Sequence, residues 1–187
     1  MNSTNRRLLA LVGVLALLLA VKLAYDWWKE QRFDPLIAEA GRRYHLDPAL
    51  IKAVIWRESR FRPWIHGHAG ELGLMQIREA AAREWAAAEK IPSFDHTACL
   101  DPGTNILAGT WYLKKALDRY PAADDPSAFA LAEYNAGRGN VLKWEAGASA
   151  TNRDQFISHI QFPSTHAYVL AILRRAERYR EKGDFKP

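Results

Sequence analysis

The chain has 187 residues, of which 49% are hydrophobic and 11% aromatic, enough apolar surface for one packed domain and too much for a disordered chain. Its formal charge of +5 comes from basic and acidic residues that are interspersed, not blocked; this is the pattern of a solvated surface, so no nucleic-acid partner is expected. Cys99 is the single cysteine, which excludes an intramolecular disulfide and a thiolate zinc cluster.

Arg6 and Arg7 precede an apolar run from Leu8 to Val21, and the apolar character resumes past Lys22 through Leu23, Ala24 and Tyr25 to Trp27 and Trp28. As a helix the uninterrupted run covers only about 21 Å of a hydrocarbon core roughly 30 Å thick, the length of a signal-peptide core. Lys22 can snorkel, however, and Tyr25, Trp27 and Trp28 are placed as an interfacial aromatic belt, which extends the span from Leu8 to about Trp28. No small-x-small cleavage site follows the run, so an uncleaved single-pass anchor is favoured over a signal that is removed to release the protein. Lys22, Lys29 and Arg32 offset Arg6 and Arg7, and charge alone does not orient the helix. Residues 1–30 are thus read as an anchor or uncleaved signal, and residues 31–187 as one further domain.

From Phe33 onward helical spacing dominates without internal repeats, and the domain reads as all-α. A helix is predicted from about Pro35 to Tyr44. Asp47 and Pro48 form an N-cap and first-turn pair that opens the next, through Arg57 or Glu58. Pro63, Gly67 and Gly70 make residues 60–72 a loop. A helix from about Met75 to Ala88 is expected to follow, then a loop around Pro92 to Leu100. Asp101 and Pro102 start a helix ended by Pro121, and Asp125 and Pro126 start another that stops at Asn135-Ala136-Gly137. The last long helix is predicted from about Ser164 to Arg180.

Within the helix opened by Pro48, Ile51, Val54 and Ile55 recur at three- and four-residue spacing, and Glu58 is the next position on that stripe. Burial disfavours a carboxylate's charge, and the negative end of the helix dipole disfavours it further, so both raise its proton affinity. A general acid working at neutral pH needs this environment. On physics alone, an interfacial glutamate paired with Arg57, Arg60 or Arg62 is the more ordinary reading.

The residues around Glu58 add a second line. The run Ala49-Leu-Ile-Lys-Ala-Val-Ile-Trp-Arg-Glu58-Ser59-Arg-Phe61, then Ala69-Gly70 with Gly73-Leu74-Met75-Gln76, Asn105-Ile106 with Gly109 and Tyr112-Leu113, Ala132-Glu133-Tyr134-Asn135-Ala136-Gly137, and Thr165 with Tyr168-Val169 resemble, in order and spacing, the motifs of the lytic transglycosylase family. The resemblance covers residues 48 to about 180. It implies a lysozyme-like helical domain related to goose-type lysozyme, acting on the glycan strands of peptidoglycan, with no cofactor and no metal. Glu58 is implied as the catalytic acid and base, with Ser59, Met75, Gln76, Tyr134, Asn135 and Tyr168 as substrate-binding residues. Gln76 would offer its amide to the sugar, and Tyr134 would bond Glu58 or substrate. Ser59 reads either as orienting the acid or as ending its helix, Met75 as cleft wall or core, and Asn135 as sugar ligand or turn-former. Two positions depart from the family pattern: Glu133 stands where a small residue is usual, and Ser164 where an acid often precedes the threonine.

Most glycosidases use two carboxylates about 5 to 10 Å apart, but substrate-assisted enzymes dispense with the second. The family's chemistry is of the latter kind: the acid protonates the bond between N-acetylmuramic acid and N-acetylglucosamine, then removes a proton from the muramyl C6 hydroxyl, closing a 1,6-anhydro ring without water. A hydrolytic muramidase on the same fold would need a second carboxylate, for which Glu133, Glu71 and Asp101 are the candidates; a non-catalytic wall-binding module is the third reading. His66 and His68, or His96 with Cys99, are too few to read as a metal site. Trp64, Trp85, Trp111 and Trp144 read as core or as sugar platforms without a basis for choice. Since peptidoglycan lies outside the cytoplasmic membrane, the domain is expected in the periplasm, held at the bacterial inner membrane by the N-terminal helix; protein partners are not legible.

Overall fold

In the computed structural model, which describes residues 2–185, the chain forms two units that divide after Phe33. The first is a single long helix, α1 (Ser3–Gln31). Its leucines and valines from Leu9 to Leu23 are 54–65% exposed, so within the unit no protein surface covers them. By length and composition it is a helix able to cross a membrane,. Lys22 pairs with Asp26 one turn on, at 2.6 Å, and Tyr25 and Trp28 meet with ring centroids 5.9 Å apart. The side chains of Arg6 and Leu8, at the head of the expected span, lie outside the described residues.

The second unit is helical, as its periodicity implied: α2 (Asp34–Tyr44), α3 (Pro48–Ser59), α4 (Glu79–Ala88), α5 (Pro102–Leu117), α6 (Pro126–Ala136), α7 (Arg138–Trp144), α8 (Arg153–His159) and α9 (Pro163–Lys182), with 3-10 turns at His96–Leu100 and Gly147–Ala150. Three of these helices are capped by the aspartate of an Asp-Pro pair. Asp47, Asp101 and Asp125 accept from the amides of Ala49, Thr104 and Ser127 at 2.8–2.9 Å, satisfying first-turn donors, while the proline that follows has no amide to satisfy. Arg60, in the left-handed region at φ 53°, ends α3; Gly137, at φ 82°, ends α6.

The centre of the unit is the pairing of α3 with α9, flanked by α6, while α5 packs against α2, α4 and α6. Ile51, Val54 and Ile55 of α3, Ile106 and Leu113 of α5, Phe129 and Leu131 of α6, and Val169 and Ile172 of α9 are fully buried, each contributing about 1.5–3 kcal/mol of transfer free energy. Phe129 stacks on Phe156 of α8 at 3.9 Å between centroids. Lys52, on the other side of α3, is also fully buried, with Nζ 2.8 Å from both Asp34 and Asp184.

Two departures from the sequence expectation stand out. The helix predicted from Met75 begins only at Glu79, and residues 66–77 instead fold back on themselves through isolated bridges pairing His66 with Leu72 and Leu72 with Ile77. Gln76, at φ 49°, cannot be helical. The stretch between Gly137 and Ser164, left without elements by the sequence reading, holds α7 and α8. Each has seven residues, too short for periodicity to reveal.

Candidate active site

The site is built on the end of α3. Glu58 continues the stripe of Ile51, Val54 and Ile55, and its half-buried carboxylate borders a cavity of about 410 Å³. Tyr168, on α9 and itself buried, donates its hydroxyl to Glu58 Oε1 at 2.6 Å. Burial is the largest influence on the carboxyl and raises its proton affinity; the charge of Glu71 adds to this, the Tyr168 bond and Arg57 act against it, and the balance stays above the ordinary carboxylate value,. Burial also pushes the Tyr168 and Tyr134 phenols well up, with the nearby Glu58 charge next in effect. Both remain hydrogen-bond donors at any working pH.

The segment 72–77, which lines the cavity through Gln76 and Ile77, is held by residues far away in sequence. Asn105, fully buried on α5, accepts from the Met75 amide at 2.7 Å and donates to the carbonyls of Leu72 at 2.8 Å and Cys99 at 2.7 Å. Tyr134, on α6, donates to the Met75 carbonyl at 2.8 Å, not to Glu58. Tyr168 makes the bond to Glu58 that the sequence reading had offered to Tyr134. A side chain at Gly73, whose φ is +73°, would meet Asn105 Nδ2 at 2.3 Å, so the loop can lie this close to α5 only with glycine there.

The predicted site residues divide on this frame. Glu58, Gln76, Tyr134 and Asn135 line the cavity together, and Tyr168 reaches it through Glu58. Gln76 spends its amide nitrogen on the carbonyls of Ile65 and Gly73, at 3.2 and 2.9 Å, so it braces the loop as well as facing the cavity. Asn135 accepts from Thr165 of α9 at 2.8 Å, which ties α6 to α9. Met75 is fully buried, its sulfur against Gly109 and Thr110, and it meets the core side of its two readings. Ser59 is likewise buried, with its hydroxyl on the Ile55 carbonyl at 3.1 Å in the last turn of α3. Neither Met75 nor Ser59 lines the cavity.

The sequence reading missed Tyr112, which lines the cavity and packs edge-on against Tyr134, 5.8 Å between centroids. A signal was present: Asn105, Gly109 and Tyr112 are spaced by four and three, one face of α5. Arg78, at the rim, was also missed; it pairs with Glu71 at 2.9 Å.

Of the possible second carboxylates, Asp101 caps α5 and Glu133 is buried in α6 with one oxygen on Arg119 and the other on the Tyr120 hydroxyl. Glu133 nonetheless borders the same cavity as Glu58, as does Glu71. Burial works to raise the proton affinity of Glu71, but bonds from its own amide, the Ala69 amide and Arg78 outweigh this and hold it below the usual value. Among the tryptophans, Trp85 and Trp144 are core, whereas Trp64 on the loop is 61% exposed.

Residues 35–157 match the model of the transglycosylase SLT domain. The chain belongs to that family. Among curated relatives of the SLT family, membrane-bound lytic murein transglycosylase F of Desulfosudis oleivorans is 39% identical over 153 residues, which cover 80% of this chain and 31% of that protein. The soluble lytic murein transglycosylase of Escherichia coli K12 is 32% identical over 165 residues, covering 84% and 25%. The crystal structure of the 70 kDa soluble lytic transglycosylase of E. coli superimposes with a TM-score of 0.72 at 28% identity, over 80% of this chain and 24% of that one. An inactive glutamate-to-glutamine variant of the lytic transglycosylase Slt of Pseudomonas aeruginosa gives 0.70 at 26%, over 79% and 24%. The fold is therefore the lysozyme-like one that the sequence implied, and the chain spans about a quarter to a third of the length of these relatives.

Proposed function

We propose that the chain is a peptidoglycan lytic transglycosylase in which Glu58 acts first as acid and then as base. The observation that carries this reading is the 2.6 Å bond from Tyr168 to Glu58 in a cavity where burial raises the Glu58 carboxyl. A carboxyl so held can deliver a proton to the glycosidic oxygen between N-acetylmuramic acid and N-acetylglucosamine. Once ionised, it is stabilised by the Tyr168 donor and placed to take the proton of the muramyl C6 hydroxyl, so that a 1,6-anhydro end forms. The substrate's own acetamido group would support the cationic centre, as in other substrate-assisted glycosidases. Family membership and the inactivity of a glutamate-to-glutamine variant in the Pseudomonas relative support one essential glutamate on this fold.

The substrate-binding roles rest on the same cavity. Gln76, Tyr134 and Asn135 would contact sugar directly, Tyr168 through Glu58, and Ser59 and Met75 only by shaping the walls. Glu71 sustains the hydrolytic reading, since it is an ionised carboxylate bordering the same cavity that could orient water.

Digestion of purified peptidoglycan by the full chain, followed by mass measurement of the released muropeptides, separates the two. Products lighter by one water, with anhydro ends, are expected; reducing ends would make the enzyme a muramidase. Glu58→Gln is expected to lower release at least about 1000-fold with the fold intact, whereas substantial residual release would remove Glu58 from its role.

Residues 1–30 are proposed as a single-pass inner-membrane anchor with the catalytic domain, residues 31–187, in the periplasm. The exposed apolar surface of α1 and a relative named as membrane-bound support this. A C-terminal reporter active only in the cytoplasm would contradict it.

A further inference from the structure

Arg57 precedes Glu58 on α3 and does not line the cavity. Its guanidinium carbon lies 5.3 Å from the centroid of the Tyr168 ring, a cation–π distance. The hydroxyl of that same ring donates to Glu58 Oε1 at 2.6 Å. Arg57 thus reaches Glu58 by two routes, through the ring it covers and through the nearness of its charge. A guanidinium suits both tasks, being planar enough to lie against a ring and ionised at every working pH.

We propose that Arg57 is a positioning residue of this site: its guanidinium, seated on the Tyr168 ring, holds the phenol in the orientation that donates to Glu58 and places a permanent positive charge beside the carboxylate. The inference rests on the reading of Glu58 as acid and base.

The groups facing Glu58 come from four places. Tyr168 approaches from α9, Tyr134 from α6, Glu71 from the 66–77 loop, and Arg57 from α3 itself. Burial and the Glu71 charge favour the protonated carboxyl, whereas the Tyr168 bond and Arg57 favour the ionised one. An acid that must give up its proton and then take another cannot be held too firmly in either form. In that set Arg57 supplies the positive charge, and it also steadies the neutral donor. The residue just before the acid therefore tunes the acid without touching substrate.

The test is a titration of Glu58 in the detergent-solubilised full chain carrying 13C-labelled glutamate carboxyls, with the Glu58 signal identified as the one lost in Glu58→Gln. Arg57→Met keeps much of the stem and removes both charge and plane; Arg57→Lys keeps the charge alone. In Arg57→Met the Glu58 midpoint is expected to move upward by about 0.3 pH unit or more, a factor of two in proton affinity. Arg57→Lys should restore part of this, and the alkaline limb of the kcat/KM profile should move with the midpoint. In a Tyr168→Phe background, which keeps the ring but not the hydroxyl, Arg57→Met should move the midpoint less, because one of its two routes is gone. An unmoved midpoint in an Arg57→Met protein with the parent's circular dichroism spectrum overturns the proposal, and so do equal movements in the two backgrounds. Arg57→Gln carries the same test if Arg57→Met does not fold. If Glu58→Gln still releases muropeptides, the acid assignment fails, while the midpoints still decide the role of Arg57.

Discussion

Glu58 is held where its charge is costly, and that has a thermodynamic consequence separate from chemistry. Because burial raises its proton affinity in the folded state, the folded protein binds this proton more tightly than the unfolded chain does. The associated stability is present in full below about pH 4.5, the ordinary value for the group, and is lost as pH rises through the folded value. Glu58→Gln, which removes the charge and keeps the shape, should therefore stabilise the protein at neutral pH by about 1 kcal/mol. The gain should vanish below pH 4.5, where Glu58 is protonated as well. Thermal unfolding of both proteins across this range checks the point, and a variant less stable at neutral pH would show that Glu58 is not held at a cost. The position of Glu58 was legible because one helical stripe carries it. The donor that faces it was not, since Tyr168 comes from 110 residues away and nothing in local spacing ranks it above Tyr134.

At the scale of elements, the least legible part is the segment 72–77. Its apolar residues suggested the start of a helix, yet the backbone groups of Met75 find their partners elsewhere. The Met75 amide goes to Asn105, 30 residues on, and the Met75 carbonyl to Tyr134, 59 residues on. Once remote side chains satisfy these groups, helix formation has nothing to add there. Asn105→Leu should therefore do more than remove one side chain, because it strands the Met75 amide and the Cys99 carbonyl in a buried place and leaves the Leu72 carbonyl with the Ile77 amide alone. At about 1–3 kcal/mol for each unsatisfied group, a loss of about 2 kcal/mol or more is expected in urea unfolding, with reduced activity, since Gln76 sits on the same loop. A loss under about 1 kcal/mol would mean the loop does not depend on Asn105. The starts of the helices on Asp-Pro pairs, by contrast, were legible to within a residue or two. Their caps are local, reaching only two or three residues along the chain.

At the scale of the whole helical unit, its first helix and the turn after its last meet on Lys52. Its ammonium, fully buried, bridges Asp34 at the start of α2 and Asp184 just past α9, and lies 4.9 Å from the centroid of the Tyr179 ring. This clasps the first helix and that turn onto the reverse side of the helix that carries Glu58. Removing one member of a buried ionic cluster leaves the others uncompensated, typically at 3–5 kcal/mol. Lys52→Ala is expected to cost about 3 kcal/mol in urea-induced unfolding, and a change under about 1 kcal/mol would show the clasp to be dispensable.

The sequence by itself determined the class of the fold, most helix starts, the apolar N-terminal helix and the place of Glu58, because each follows from short-range periodicity or capping within one helix. Only the tertiary structure decided that Tyr168 faces Glu58, that Tyr134 and Asn105 hold the segment 72–77, that Met75 and Ser59 turn into the core, and that Glu133 is engaged by Arg119 and Tyr120. Those are choices among donors and acceptors of the same chemistry, made by distances between elements far apart in the chain, which spacing along one element does not encode.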